Sequence, residues 1–199
     1  MSAMTGSAKA VRYTAFTLMT LFGLLGGLFV AGYAFEDPGG WTAVLMTAAW
    51  VVPMVGLSVL ALLRAERAAL VLVGATAVVI AFSLADSAFG IIPRDDWGPV
   101  TAVAVLALGV TLAFLGLHRA ALAGVLMIVT ALGQLAATAL GYAVHGVGEG
   151  GPGLGAMLGG SSGVVVLPIL LVGILFMVAA SLGHESLRSE LPQRIRPAH

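Results

Sequence analysis

The chain has 199 residues, of which 60% are hydrophobic and 9% are charged, and its mean hydropathy is +1.08. Water-soluble domains carry roughly 25% charged residues and disordered chains need low hydrophobicity, so this composition excludes both classes. Equal numbers of basic and acidic residues cancel to a formal charge of zero, which excludes a basic surface for nucleic acid. A sequence without cysteine also excludes disulfides and thiolate metal sites. The remaining class is an all-α integral membrane protein.

Six apolar segments are long enough to cross a bilayer, since about 20 helical residues span a hydrocarbon core of about 30 Å. We predict transmembrane helices at 13–35, 41–63, 68–90, 99–117, 120–144 and 164–183. Residues 1–12 precede this six-helix bundle, and residues 184–199 form a polar tail that contains two prolines.

The first span contains Gly23 and Gly27, a Gly-x-x-x-Gly pair that favours close helix packing within the chain or between protomers. A cleaved signal peptide is an alternative interpretation, because Lys9 and Arg12 form a basic start and residues 32–34 are small enough for cleavage. The apolar stretch exceeds about 20 residues, whereas that of a signal peptide runs to roughly 15, so we expect a retained helix.

The second span contains Pro53 near its middle, where proline removes a backbone donor and kinks the helix. Such a kink either serves a transport path or is a packing feature that neighbouring helices tolerate. Residues 60–70 and 112–122 are identical at seven of eleven positions. Spans two and three are therefore either a duplicate of spans four and five or similar because alanine and leucine are abundant.

The third span carries one ionisable residue, Asp86, about four residues from its outer end. An ionisable group inside a membrane is by default a candidate functional site, here for a proton or a cation. The alternative is a carboxylate that reaches the interface or is hydrogen-bonded by Ser83 and Ser87, each within one turn.

The fifth span carries Thr130, Gln134 and Thr138 at a spacing of four residues, which places them on one helix face. Hydrogen bonding between helices is one interpretation of this stripe, and a substrate-lining surface is the other. If spans three and five touch, Asp86 and Gln134 border one cavity.

Catalytic and metal-binding residues are not apparent in the sequence. His145 and Glu149 lie in a glycine-rich loop and supply too few ligands for a metal site. We therefore expect a protein that is not an enzyme and that uses no metal and no cofactor.

The basic residues segregate to one side of the predicted bundle. Of the nine lysines and arginines, Arg94 alone lies on the outer side, and by the positive-inside rule both termini are then cytoplasmic. Eight arginines against one lysine, in a chain rich in alanine, glycine and valine, indicate a bacterial genome rich in GC. The expected location is a bacterial inner membrane.

Two functions fit these features. The first is a non-enzymatic accessory or structural subunit of a membrane complex, with the lipid bilayer and a membrane protein or a second copy as partners. The second is a small transporter, channel or substrate-capturing importer subunit that uses Asp86 and the polar stripe of span five. Fold alone does not choose between them.

Overall fold

The computed structural model describes residues 6–36, 40–91, 100–145 and 161–194, and the side chains of 6–29, 40–91, 100–144 and 164–183. These parts of the chain form six helices and contain no strand. The helices are α1 (Gly6–Glu36), α2 (Gly40–Leu63), α3 (Ala65–Phe89), α4 (Val100–Gly116), α5 (Ala120–His145) and α6 (Ser161–Arg194). The predicted all-α membrane bundle is confirmed.

Two helices extend beyond their predicted spans. Helix α1 begins at Gly6, seven residues before the apolar stretch, and α6 continues to Arg194 through most of the polar tail. The first extension contains alanine, lysine and arginine, and the second contains glutamate, leucine and arginine; these residues favour helix whether or not they lie in lipid. Helix α6 also includes Pro168 and Pro192, so neither proline ends it.

Five helices have the length and composition needed to cross a membrane, at Gly6–Phe29, Gly40–Leu63, Ala65–Phe89, Ala120–Val144 and Val164–Gly183. Helix α4 has 17 residues, which by helix rise is about 25 Å and therefore short of a hydrocarbon core of about 30 Å. The fourth predicted span, 99–117, begins at a residue outside the described ones, and its described part is helical from Val100 to Gly116.

The six helices are arranged as a ring of five around α4. In the ring α1 packs on α2, α2 on α3, α3 on α5, α5 on α6, and α6 on α1, while α4 contacts all five. Ten residues of α4 are buried, and among them Thr111 is polar, with its hydroxyl donating to the carbonyl oxygen of Leu108 at 2.8 Å. The described axis of the bundle is therefore filled with apolar side chains.

Glycines on α4 let ring helices approach the axis. A β-carbon at Gly109 would lie 2.6 Å from the Met19 side chain, and one at Gly116 would overlap with the ring of Phe176. Met19 and Phe176 are fully buried. Each glycine thus provides the space that a large side chain from α1 or α6 fills.

The backbones of α5 and α6 approach each other closely at two glycines. A β-carbon at Gly124 would lie 2.8 Å from the carbonyl oxygen of Gly173, and one at Gly173 would lie 3.1 Å from that of Gly124. Small residues at a helix crossing are the usual means by which membrane helices pack without a hydrophobic driving force.

The predicted duplication places its two halves in different surroundings. In the span of α2, 11% of residues are buried, whereas α4 is enclosed on all sides. Helices α3 and α5 both belong to the ring and are neighbours. The two pairs of helices therefore do not occupy equivalent positions in the bundle.

Candidate functional site

Asp86 lies in the last turn of α3. The helix ends at Phe89, and Gly90 adopts the left-handed conformation (φ 60°, ψ 45°), with its N–H donating to the backbone carbonyl oxygen of Asp86 at 2.8 Å. The Asp86 side chain is half-buried. By helix rise it lies about 5 Å from the helix end, a depth from which a carboxylate reaches the membrane interface.

Helices α3 and α5 are in contact, which is the condition for Asp86 and Gln134 to share a site. A β-carbon at Gly133 would lie 2.8 Å from Ile80, and one at Gly141 would lie 3.6 Å from Ser87. From the first contact to the second, the residue numbers increase on both helices. Helices α3 and α5 therefore run parallel.

The predicted stripe of α5 is buried against other helices. Thr130 is fully buried and donates its hydroxyl proton to the carbonyl oxygen of Leu126 at 2.8 Å, and Thr138 donates to that of Gln134 at 3.0 Å. Gln134 is 5% exposed, and its side-chain oxygen Oε1 has no hydrogen-bond partner among the described residues. The hydroxyls of the two threonines are therefore hydrogen-bonded within α5, whereas the side-chain carbonyl of Gln134 is left unpaired.

Two buried hydroxyls on α3 complete this arrangement. Thr76 and Ser83 are 3% and 2% exposed, and neither Oγ1 of Thr76 nor Oγ of Ser83 has a hydrogen-bond partner in the described structure. The Ser83 side chain thus does not hydrogen-bond Asp86, which leaves Ser87 as the serine of the alternative raised from the sequence. An unpaired buried polar group costs about 1–3 kcal/mol, so these oxygens call for a specific explanation.

Sequence reasoning did not include Thr76 in the candidate site and named Ser83 only as a neighbour of Asp86. The signal was present, because Thr76, Ser83 and Ser87 follow one another at seven and four residues and so share a helix face. It was obscured because serine and threonine occur on several faces of several spans.

Because α3 and α5 run parallel, polar residues of the two helices lie at similar heights along the helix axes. Taking Ile80 and Gly133 as one level, helix rise places Thr76 within about 2 Å of the height of Thr130, and Ser83 within about 3 Å of that of Gln134. Asp86 and Thr138 come next toward the same end. We refer to Thr76, Thr130, Ser83, Gln134 and Thr138 as the polar column, with Asp86 at its outer end.

Apolar side chains close the other end of the polar column. Leu72 lies one turn before Thr76 on α3 and is fully buried, and Leu126 lies one turn before Thr130 on α5 and is 8% exposed. Ala68 and Ala69 continue the buried face of α3 toward the Arg64 turn. The polar column therefore occupies the half of the α3–α5 interface that lies nearer Asp86.

Pro53, Gly23 and Gly27 lie away from the polar column. Pro53 is inside a continuous α2 and its side chain is exposed on the outside of the bundle. A β-carbon at Gly23 would overlap with Val110 of α4, and one at Gly27 would lie 2.8 Å from Trp50 of α2. The glycine pair thus packs α1 against helices of its own chain, and Pro53 lines no internal path.

The opposite end of the bundle carries the described basic residues. Arg12 donates from Nη1 to the carbonyl oxygen of Leu117 at 3.1 Å, which ties α1 to the end of α4. Arg119 forms an ion pair with Glu66, at 3.3 Å between Nη2 and Oε1, which links the α2–α3 and α4–α5 turns. An open recess of about 430 Å³ is lined by residues 63–67 of a single turn and does not lead into the bundle.

Metal-binding clusters are not found in the described part of the chain, where no three histidine or acidic side chains come together. His145 and Glu149 lie outside the residues whose side chains are described. Comparison of this chain with known protein families, with curated proteins and with solved structures finds no match. Any assignment of function therefore depends on the chain itself.

Proposed function

We propose that this protein is a non-enzymatic accessory or structural subunit of a membrane complex. The observation that carries the proposal is the position of α4, a helix without charged residues that fills the axis of the bundle. A transporter that moves its substrate along the axis needs polar groups or space there, whereas α4 has no charged residue and the hydroxyl of its buried Thr111 is hydrogen-bonded within the helix.

The outer surface of the ring supports association within the membrane. Helix α2 is the least buried of the long spans, and Leu45 and Val52 on it are more than 60% exposed. In a bilayer these side chains contact lipid or another membrane helix. Besides the lipid, the expected partner is a membrane protein or a second copy of this chain.

A bacterial inner membrane with both termini in the cytoplasm is the proposed setting. Lys9, Arg12, Arg64, Arg67 and Arg119 belong to the end of the bundle that the Arg12 and Arg119 contacts hold together. Basic residues are retained on the cytoplasmic side, which supports this orientation.

The alternative is a small transporter, channel or importer subunit, and the polar column favours it. Three unpaired buried oxygens lie along an interface that ends near a membrane carboxylate, and leaving them unpaired costs free energy unless they serve a ligand. In this case the substrate path runs along the α3–α5 interface and includes Asp86. The apolar helix α4 then packs against both helices and holds them in place.

Site-specific photocrosslinking in native membranes tests the accessory role. A photoreactive residue at Leu45 or Val52 on the exposed face of α2 is expected to link the protein to one defined species, either another protein or a second copy. The same residue at Ala61, which is fully buried on α2, is the matched control and should give no adduct. Lipid adducts alone at both exposed positions would contradict the proposal.

Flux into proteoliposomes tests the alternative. Asp86→Asn and Gln134→Leu should abolish uptake of a proton or a small cation if the polar column is a path, whereas Pro53→Ala should not. Uptake that is absent in the unmodified protein, or equal in all three variants, would refute transport by this route.

A further inference from the structure

The hydroxyl groups along the α3–α5 interface fall into two kinds. Thr130 and Thr138 of α5 donate to carbonyl oxygens of their own helix, as Thr111 does in α4. Thr76 and Ser83 of α3 do not, although the same internal bond is open to any serine or threonine in a helix. The hydroxyls of Thr76 and Ser83 are therefore left without a partner among the described residues, as are those of Thr20, Thr47 and Ser58 on α1 and α2.

The donors and acceptors of the polar column match water. Thr130 and Thr138 use their protons within α5 and keep lone pairs, and Gln134 contributes an unpaired carbonyl oxygen. Thr76 and Ser83 each supply one proton and two lone pairs. A site with many oxygen acceptors and few donors is complemented by a ligand that donates, and a buried water makes two to four such bonds.

The space beside α5 differs between two levels of the α3–α5 interface. At the Gly133 level a β-carbon would lie 2.8 Å from the large side chain of Ile80, so the helices touch there. At the Gly141 level, two turns further out, a β-carbon would lie 3.6 Å from the smaller Ser87, which is an ordinary van der Waals contact. The outer end of the interface therefore leaves room for a methyl group beside Gly141.

We infer that the outer part of the polar column, from Ser83 and Gln134 to Asp86, binds a file of water molecules that opens to the aqueous phase at its Asp86 end. The contact between Ile80 and Gly133 closes this file, and Leu72 and Leu126 lie beyond the contact, so that water enters from one side and does not cross. This half-channel extends beyond the proposed function, since it holds whether the protein is an accessory subunit or a transporter.

Thiol labelling measures the proposed water access directly, because the natural chain contains no cysteine. Ser83→Cys preserves the shape of the side chain, and only a hydrated thiol ionises and reacts with a small charged methanethiosulfonate reagent. We expect Ser83→Cys to react about tenfold faster or more than Leu72→Cys in the apolar floor, or than Thr111→Cys in α4. Equal rates at these three buried positions would overturn the half-channel in favour of dry hydrogen bonds between α3 and α5.

Sidedness is read from two reference variants at opposite ends of α3. Ser83→Cys must react from the side of the membrane that labels Phe89→Cys, and not from the side that labels Arg64→Cys. This comparison is independent of which side is cytoplasmic. Reaction from the Arg64 side would also overturn the inference, because the Ile80–Gly133 contact would then not close the file.

A second variant narrows the mouth without disturbing the fold. Gly141→Ala adds a methyl group that fits at 3.6 Å from Ser87. Combined with Ser83→Cys it is expected to slow labelling severalfold, whereas Gly74→Ala, with no neighbour within 4 Å, leaves the rate unchanged. If Ser83→Cys does not fold, Thr138→Cys, which lies nearer the Asp86 end of the polar column, gives the same readout. No slowing by Gly141→Ala would place the entrance elsewhere and contradict the half-channel.

Discussion

Replacing Gly124 with alanine places a methyl group where α5 and α6 already meet through their backbones. The new β-carbon would lie 2.8 Å from the carbonyl oxygen of Gly173 and 3.1 Å from the amide nitrogen of Met177. Both are helix backbone atoms, so no change of rotamer relieves the overlap. To restore a contact of 3.4 Å the two helices must separate locally by about 0.6 Å, and adjacent side chains lose contact.

The size of the effect follows from two opposing terms. Overpacking of a filled core costs about 1–3 kcal/mol, whereas alanine in place of glycine inside a helix gains about 0.5–1 kcal/mol. We therefore expect Gly124→Ala to lower the free energy of unfolding by about 1–2 kcal/mol. Gly74→Ala has no atom within 4 Å and should raise it by about 0.5–1 kcal/mol.

Titration with SDS in mixed micelles, followed by far-UV circular dichroism, compares the two variants with the unmodified protein. The difference between Gly124→Ala and Gly74→Ala cancels the helix-propensity term and leaves the packing term of about 1–3 kcal/mol. Equal unfolding midpoints for the two variants would refute the close approach of α5 and α6. Gly173→Ala should match Gly124→Ala, and the double variant should cost less than the sum, because both act on one crossing.

The same unfolding assay checks three further changes. Arg12→Met leaves the carbonyl oxygen of Leu117 without its side-chain donor and should lower the free energy of unfolding by about 1–3 kcal/mol. Lys9→Met is the control and should leave it unchanged. An unchanged free energy of unfolding in Arg12→Met would mean that this hydrogen bond does not form. Glu66→Gln removes an ion pair whose glutamate is 89% exposed, so the loss should stay below about 1 kcal/mol and vanish in high salt. Pro53→Ala restores a backbone donor inside α2 and should raise stability by up to about 3 kcal/mol; a decrease would show that packing depends on the proline.

The sequence was sufficient to predict the helices and where most of them end. Uninterrupted apolar runs and charged turns at Arg64 and Arg119 located α2 to α5 to within about three residues, because burial of charge in lipid is costly. The same apolar runs do not indicate which helices pack against each other. A helix that is apolar on every side carries no periodic signal for which face points inward, so the central position of α4 was not predictable.

The candidate site was predicted in part for the same reason. Asp86, Thr130, Gln134 and Thr138 stand out as polar residues in apolar surroundings, whatever their neighbours are. That α3 lies beside α5 was left open, since contact between two membrane helices depends on small residues such as Gly133 whose partners the sequence does not identify. Their contact in the structure then brought Thr76 and Ser83 into the candidate site.

The central position of α4 has a consequence for the order in which the bundle assembles. Helices enter the membrane in the order of synthesis, so α4 arrives when three of its five neighbours are present. Until α6 follows, the notch at Gly116 that receives Phe176 faces lipid. Because α6 also packs on α1, the ring closes only when the last helix is inserted. A chain interrupted before α6 therefore displays an unfilled groove on its innermost helix, which distinguishes an incomplete chain from a finished one.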